Sequence, residues 1–323
     1  MGKVALIRPV LLLVLILLLA LFAASTFGTA TISWRNVFAG DATARTVMLD
    51  IRLPRVLLAA LVGAALAAAG VTFQTLLRNP LADPFILGIS GGAACGAAVT
   101  TALGLARVPG VVSLVAFLGA LGATAAVFVL ARRREYTDPT RLLLSGLVLN
   151  ALFTAIILIA YALAPATDLT MALRWMMGTL FGATWGDVVL LLAFVLASLA
   201  VLIAIGGDLR MLAFGEDDAK SRGVDVERVK LLGFAASSIV TGAAVAVSGI
   251  IGFVGLLVPH LMRLIWRRDY RVLLPLSALG GAILLVVADL ASRVSLSSSE
   301  LPIGAFTAIL GVPFFLSLLR RGR

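Results

Sequence analysis

The feature that most constrains this chain is a succession of apolar runs, each near the length of a bilayer crossing and separated by short polar breaks. They lie at 10–24, 54–77, 85–104, 111–131, 142–163, 187–205, 230–248, 251–264, 273–292 and 302–319. A hydrocarbon core of ~30 Å takes about 20 apolar residues of helix. Backbone amides in lipid must be satisfied within the segment, so each run is expected to be helical. Of the 323 residues, 61% are hydrophobic and 13% charged, against about a quarter charged in a soluble domain. A soluble globular protein, a disordered chain and a nucleic-acid-binding domain are excluded. The expected fold class is an all-α polytopic membrane protein with about ten transmembrane helices, as one membrane domain over residues 1–323.

The net charge of +10 then reads as a topology signal rather than a phosphate-binding one. With the N-terminus in the cytoplasm and ten alternating spans, 19 of the 26 basic residues fall inside and 7 outside. That split places both termini in the cytoplasm. Lys3 and Arg8 precede the first run as in a signal peptide, but the run is long and no small-x-small cleavage site follows closely, so a retained first helix is favoured. The 251–264 run is short and follows SGIIGFVG, where a bend or re-entry buried in protein is expected. The longest polar stretch, about 206–230, is cytoplasmic in this scheme. Cys95 and His260 are each the sole residue of their type, which excludes an internal disulfide, a thiolate cluster and a multi-histidine metal site.

Several short patterns invite chemistry. Gly215–Ser221 reads GEDDAKS, but it lacks the spacing of a phosphate loop and its acids would repel phosphate. The chain is therefore expected to bind no nucleotide itself. Gly88–Gly91 reads GISG, as in rhomboid-type intramembrane proteases, with His260 as the candidate base. A nucleophilic serine needs that base within hydrogen-bond reach. An ion-coupled secondary transporter, a second alternative, would carry intramembrane carboxylates, and Asp289 is the one clear candidate. Asp289 and Arg293 share a helix face at i,i+4, so they can pair locally, or Arg293 can face an outside partner. Gly88, Gly92 and Gly96 form a stripe suited to close helix packing. Gly178, Gly182 and Gly186 repeat the spacing in an outer loop, where a short helix and turn are expected. In RNPLADPFILG (78–88) two prolines four apart preclude a regular helix. A shaped cytoplasmic connection is expected there, with Asn79 turning the backbone and Leu81 projecting. Gln74 is a polar residue inside a span, expected to line a path or to bond a neighbouring helix.

Three strings taken together resemble one family: RLPRVLLAALVGAALAAAGVTFQTLLRNPLADPFILGISGGA (52–93), GFVGLLVPHLMRL (252–264) and ELPIGAFTAILGVPFFLSLLRR (300–321). They are similar to the FecCD-type permeases of bacterial ABC importers, over almost the whole chain and in the same order. The resemblance implies a type II ABC importer permease fold and a non-enzymatic subunit in the bacterial cytoplasmic membrane. It implies a homodimer or a heterodimer with a related permease, two separate ATPase subunits that hold ATP and Mg, and a periplasmic substrate-binding protein. Cobalamin and ferric siderophore are the leading substrates, with haem third. No cofactor or metal is implied on this chain. Residues matching the ATPase-coupling element are Gly215, Glu216, Asp217, Ala219, Arg222, Gly223 and Val224. Arg52, Arg55 and Arg293 match positions that dock the binding protein outside. Asn79 and Leu81, with Pro139 and Thr140, match the cytoplasmic gate; Pro139 departs from the small polar residue usual there. Arg174, in the outer segment, is a candidate for meeting an anionic substrate group along the translocation path, as is Gln74 for lining it.

Overall fold

The computed structural model describes residues 4–28, 34–133, 136–266, 269–295 and 301–320. Of the basic residues used to orient the chain, Lys3, Arg134, Arg267, Arg268, Arg321 and Arg323 lie outside the described residues, as does Glu300 of the third family string. Each of the ten apolar runs contains a helix. Helix α1 (Val4–Thr26) is followed by the short helices α2 (Trp34–Phe38) and α3 (Ala42–Arg45) and a π-helical turn, Thr46–Arg52. Then come α4 (Leu53–Leu76), α5 (Ile89–Ala102) and α6 (Val111–Ala131). A two-stranded hairpin, β1 (Arg132–Arg133) and β2 (Tyr136–Thr137), pairs Arg132 with Thr137. It leads to α7 (Pro139–Leu163), α8 (Ala166–Met176) and α9 (Trp185–Ala204). The chain continues with α10 (Gly206–Leu212), α11 (Glu216–Ser221), α12 (Val226–Ser248), α13 (Val254–Trp266), α14 (Tyr270–Val294) and α15 (Ile303–Arg320).

Among the described residues, seven helical segments are long and apolar enough to cross a bilayer, and α5, α13 and Ile303–Phe314 of α15 are shorter apolar helices. At 1.5 Å per residue, α5 and α13 reach only ~20 Å. Their missing length is supplied by irregular backbone. Ahead of α5, residues 77–88 form linked turns, and Asn150 of α7 donates to the Phe85 carbonyl at 2.9 Å. Gly146 of α7 packs directly on the Ile86 carbonyl. Ahead of α13, the chain unwinds at Gly249 and resumes at Val254. Thr179 donates to the Ser248 carbonyl there at 2.8 Å. Each irregular stretch is thus covered by protein, the condition for non-helical backbone at membrane depth. The bend expected near 251 is where the structure has it.

Burial divides the helices into a centre and a rim. The apolar windows of α4, α12 and α14 are 78%, 72% and 67% buried, whereas that of α1 is 11% buried and that of α7 is 17%. Apolar side chains exposed on α1, α6, α7 and α9 are what a lipid or protein partner would cover. The central helices approach through small residues. Gly63 of α4 meets the Gly281 backbone of α14, and Gly70 of α4 meets Gly255 of α13. Of the Gly88, Gly92 and Gly96 series, Gly92 and Gly96 pack on Gly119 and Val115 of α6, whereas Gly88, φ 82°, turns the chain into α5. The second series does not form a stripe: Gly178 and Gly182 take left-handed turn conformations, φ 75° and 77°, between α8 and α9. Phe234 of α12 sits between Phe73 and Phe128, with ring centroids 5.5 Å from each.

The connections agree with the alternation read from charge. Arg107 pairs with Asp168 at 2.9 Å, and the Trp185 indole donates to the Leu49 carbonyl, both joining segments assigned outside. Arg210 pairs with Asp269 at 3.2 Å, joining two segments assigned inside.

Candidate functional site

The polar stretch 206–230 folds into two short helices, α10 and α11, ahead of the long α12. Gly215 carries φ 144° at the start of α11, and Gly223, φ 83°, turns the chain out of it. Asp225 then caps α12 by accepting from the Arg228 amide at 3.1 Å. Asp217, Asp218, Lys220, Arg222 and Gly223 are exposed, and Phe214 between the helices is 72% exposed. Two expected coupling residues face the other way. Ala219 is fully buried, on the inward face of a helix too short to be stable without tertiary contacts. Glu216 turns toward Lys230, which it meets at 2.8 Å. Val224 is half-buried. Of the expected coupling residues, Asp217, Arg222 and Gly223 are therefore exposed, with Phe214 beside them, while Ala219 and Glu216 lie beneath.

The two expected gate turns lie on the same side. Asn79 accepts from the Leu81 amide at 2.9 Å, an Asx turn that leaves Leu81 40% exposed. Asp138 caps α7 by accepting from the Thr140 and Arg141 amides at 2.8 and 3.4 Å, with Pro139 in the first helical turn. Proline suits that position, since its missing N–H and fixed φ cost nothing there. Pro139 is half-buried and Thr140 exposed. In the connection after Leu81, Asp83 is buried beside Gly255 of α13; one carboxylate oxygen accepts from the Phe85 amide at 2.8 Å and the other has no hydrogen-bond partner.

The outer arginines are arranged differently from the expected docking surface. Arg52, Arg55 and Arg293 are all buried, at 5%, 8% and 5% exposure. Asp289 holds Arg55 on one oxygen and Arg293 on the other, each at 2.9 Å. Arg293 also donates to the Ala24 and Phe27 carbonyls, and Arg52 to those of Ser25 and Thr26. The cause is the end of α1, whose last carbonyls lack intrahelical partners. Guanidinium groups satisfy them and complement the helix dipole. The local Asp289–Arg293 pair expected at i,i+4 is present. The arginines thus tie together the outer ends of α1, α4 and α14 instead of standing out toward a partner.

Gln74 lies within the helix packing of this chain. It is buried at 3% exposure and donates to the Gly255 and Leu256 carbonyls of α13, while Arg263 donates to its side-chain oxygen at 3.4 Å. Of the two readings open for it, the bond to a neighbouring helix is the one realised. Arg174 is exposed in the last turn of α8. Ser90 is 2% exposed, and neither its hydroxyl nor Nε2 of His260 has a hydrogen-bond partner, so the serine–histidine pair of a protease does not form. Asp289, engaged by two arginines, is not a free ion-coupling carboxylate.

Three residues escaped sequence reasoning. Lys230 is buried where α12 begins, Asn150 seals the turns before α5, and Arg263 reaches Gln74. For Asn150 and Arg263 the available signal was an isolated polar side chain within an apolar run, whereas Lys230 stands at the edge of the polar stretch and carried none.

Comparison with known proteins decides the class. The family model described as the FecCD transport family matches residues 12–321. The chain belongs to the FecCD transport family. FecCD relatives resemble it along most of its length. It is 40% identical to the hemin transport system permease protein HmuU of Yersinia pestis, over 97% of this chain and 95% of that one. It is 45% identical to the cobalamin import system permease protein BtuC of Halobacterium salinarum, over 86% and 74%. A solved structure of a metal-chelate type ABC transporter in an inward-facing conformation superposes with TM-score 0.87 at 29% identity, covering 97% and 99%. This FecCD chain is accordingly a non-enzymatic, multi-pass permease subunit of an ABC importer, a family whose members work with ATPase and substrate-binding partners.

Proposed function

We propose that this permease imports a large metal chelate, cobalamin, a ferric siderophore or haem, across the bacterial inner membrane, with both of its termini in the cytoplasm. Two copies form the channel at their interface, and each docks one ATPase subunit on the α10–α11 surface. The observation that carries this reading is the placement of that exposed polar surface beside both gate turns: Glu216 of α11, Thr137 ahead of Pro139 and Leu77 ahead of Asn79 all gather around Lys230. The 1–323 chain acts as a single membrane domain, and ATP and Mg stay on the partner ATPase. A path between two copies is supported by the exposed apolar face of α7, with Leu144, Leu147 and Val148 above Pro139 and Thr140.

ATP binds more tightly to the closed ATPase pair, and only that difference in affinity can shift the permease between its inward and outward states. The α10–α11 surface, including Asp217, Arg222 and Gly223, receives the motion, and the turns at Asn79–Leu81 and Pro139–Thr140 open or close below the cavity. Outside, a periplasmic binding protein delivers the substrate. Arg52, Arg55 and Arg293 serve that docking from beneath, by holding the outer helix ends in one arrangement. Arg174, exposed on α8, suits an anionic group on the arriving chelate or its carrier. The substrate names attached to relatives support the chelate class, and selection among chelates falls to the binding protein.

The absorption spectrum of ligand retained by the cognate binding protein tests the substrate class. A corrin, haem or ferric-siderophore spectrum is expected. A bound sugar, peptide or bare metal ion would contradict it.

A further inference from the structure

The coupling surface and the gate turns are joined through one buried cation. All three protons of Lys230 Nζ have acceptors: Glu216 at 2.8 Å, Glu227 at 3.0 Å and the Thr137 carbonyl at 2.9 Å. Glu227 in turn accepts from the Thr137 amide at 2.9 Å and from its hydroxyl at 2.8 Å. Every polar group of Thr137, which is fully buried, is therefore held by this pair. Glu216 is the first residue of α11, Glu227 and Lys230 belong to the first turns of α12, and Thr137 stands two residues before Pro139. Leu76 and Leu77, which lead into the Asn79 turn, line the same small space as Pro139, Leu142, Thr137 and Lys230.

We propose that Lys230 is a positioning residue for transport, passing displacement of α11 to the start of α7 and, through the apolar side chains beside it, to the Asn79–Leu81 turn. This rests on the permease reading above and adds the residue through which the ATPase motion reaches the gate. An ammonium group suits the task because its three donors reach α11, the hairpin and its own helix at once, and its side chain is itself only 5% exposed. Removing it leaves the partly exposed Glu216 and Glu227 carboxylates without their shared cation, and their repulsion parts α11 from Thr137.

The test is the full complex of permease, ATPase and binding protein in liposomes, comparing wild type with Lys230→Met, Lys230→Arg and Glu216→Gln. Three quantities are read: ATPase retained on the purified permease, ATP hydrolysed, and chelate taken up per ATP. Lys230→Met is expected to retain the ATPase and to hydrolyse ATP, while uptake per ATP falls about 10-fold. Lys230→Arg should recover most of that loss, and Glu216→Gln should lie between. Unchanged uptake per ATP in Lys230→Met overturns the proposal, as does loss of ATPase retention, which would make Lys230 part of the docking surface. If Lys230→Met fails to reach the membrane, Glu216→Gln decides alone: a lowered ratio supports the role and a wild-type ratio overturns it. A wild-type permease that retains no ATPase would overturn the permease reading itself.

Discussion

Asp289→Ala is expected to lower the stability of the folded chain by about 3–5 kcal/mol, the range for breaking a buried ion pair from one side. The carboxylate is fully buried and holds Arg55 and Arg293 at 2.9 Å each. Its removal leaves both guanidinium groups in a dry site without that countercharge, and that penalty exceeds any attraction the pair supplied. Arg293 also caps carbonyls at the end of α1, so the damage should spread to the contact between α1 and α14. Asp289→Asn keeps the shape and loses the charge, and should fall between wild type and Asp289→Ala. Thermal unfolding in detergent, followed by loss of monodispersity, measures both. Wild-type stability for Asp289→Ala, with weakened binding-protein docking, would restore the outward-facing role first read from the sequence.

The second large effect is expected at Gly281. A Cβ there would strike the Gly63 carbonyl oxygen of α4 and lie 2.6 Å from the Ala67 Cβ. The obstacle is backbone, so no rotamer change relieves it; the helices must part. Overpacking that a side chain can absorb costs about 1–3 kcal/mol, and Gly281→Ala should exceed that range. Gly281→Leu should abolish recovery of folded protein from the membrane. Gly122 is the matched control, since nothing lies within 4 Å of a Cβ at that helical position. Gly122→Ala should be neutral or stabilising by about 0.5–1 kcal/mol, the difference in helix propensity. Equal yields for Gly281→Ala and Gly122→Ala would contradict the close approach of α4 and α14.

The spans were legible because lipid leaves few options: a run of apolar residues must satisfy its own backbone. The proline pair at Pro80 and Pro84 likewise announced the irregular connection, and the i,i+4 spacing announced the Asp289–Arg293 pair. Rotation of a helix about its own axis was not legible. Gln74 sits in a span that is apolar nearly all round, and no periodicity says which face meets α13. The inward turn of Arg52 and Arg55 was hidden for a related reason. It depends on the free carbonyls of α1 and on Asp289, 234 residues from Arg55. The Lys230 cluster gathers Thr137, Glu216 and Glu227, and its Lys230–Thr137 bond spans 93 residues. Such polar clusters are set by tertiary approach rather than local pattern. The coupling residues were found by family likeness, which marks the segment but does not separate exposed Asp217 and Arg222 from buried Ala219.

The central claim is that transport through this chain is driven by a separate ATPase docked on α10–α11. The most direct measurement is accumulation, inside liposomes holding the permease, of the chelate that its binding protein carries. The account predicts accumulation against a gradient only when the ATPase, ATP and Mg are present together, and its loss when a bulky side chain at Gly223 disturbs the docking turn. Accumulation without the ATPase, driven by an imposed ion gradient, would contradict it.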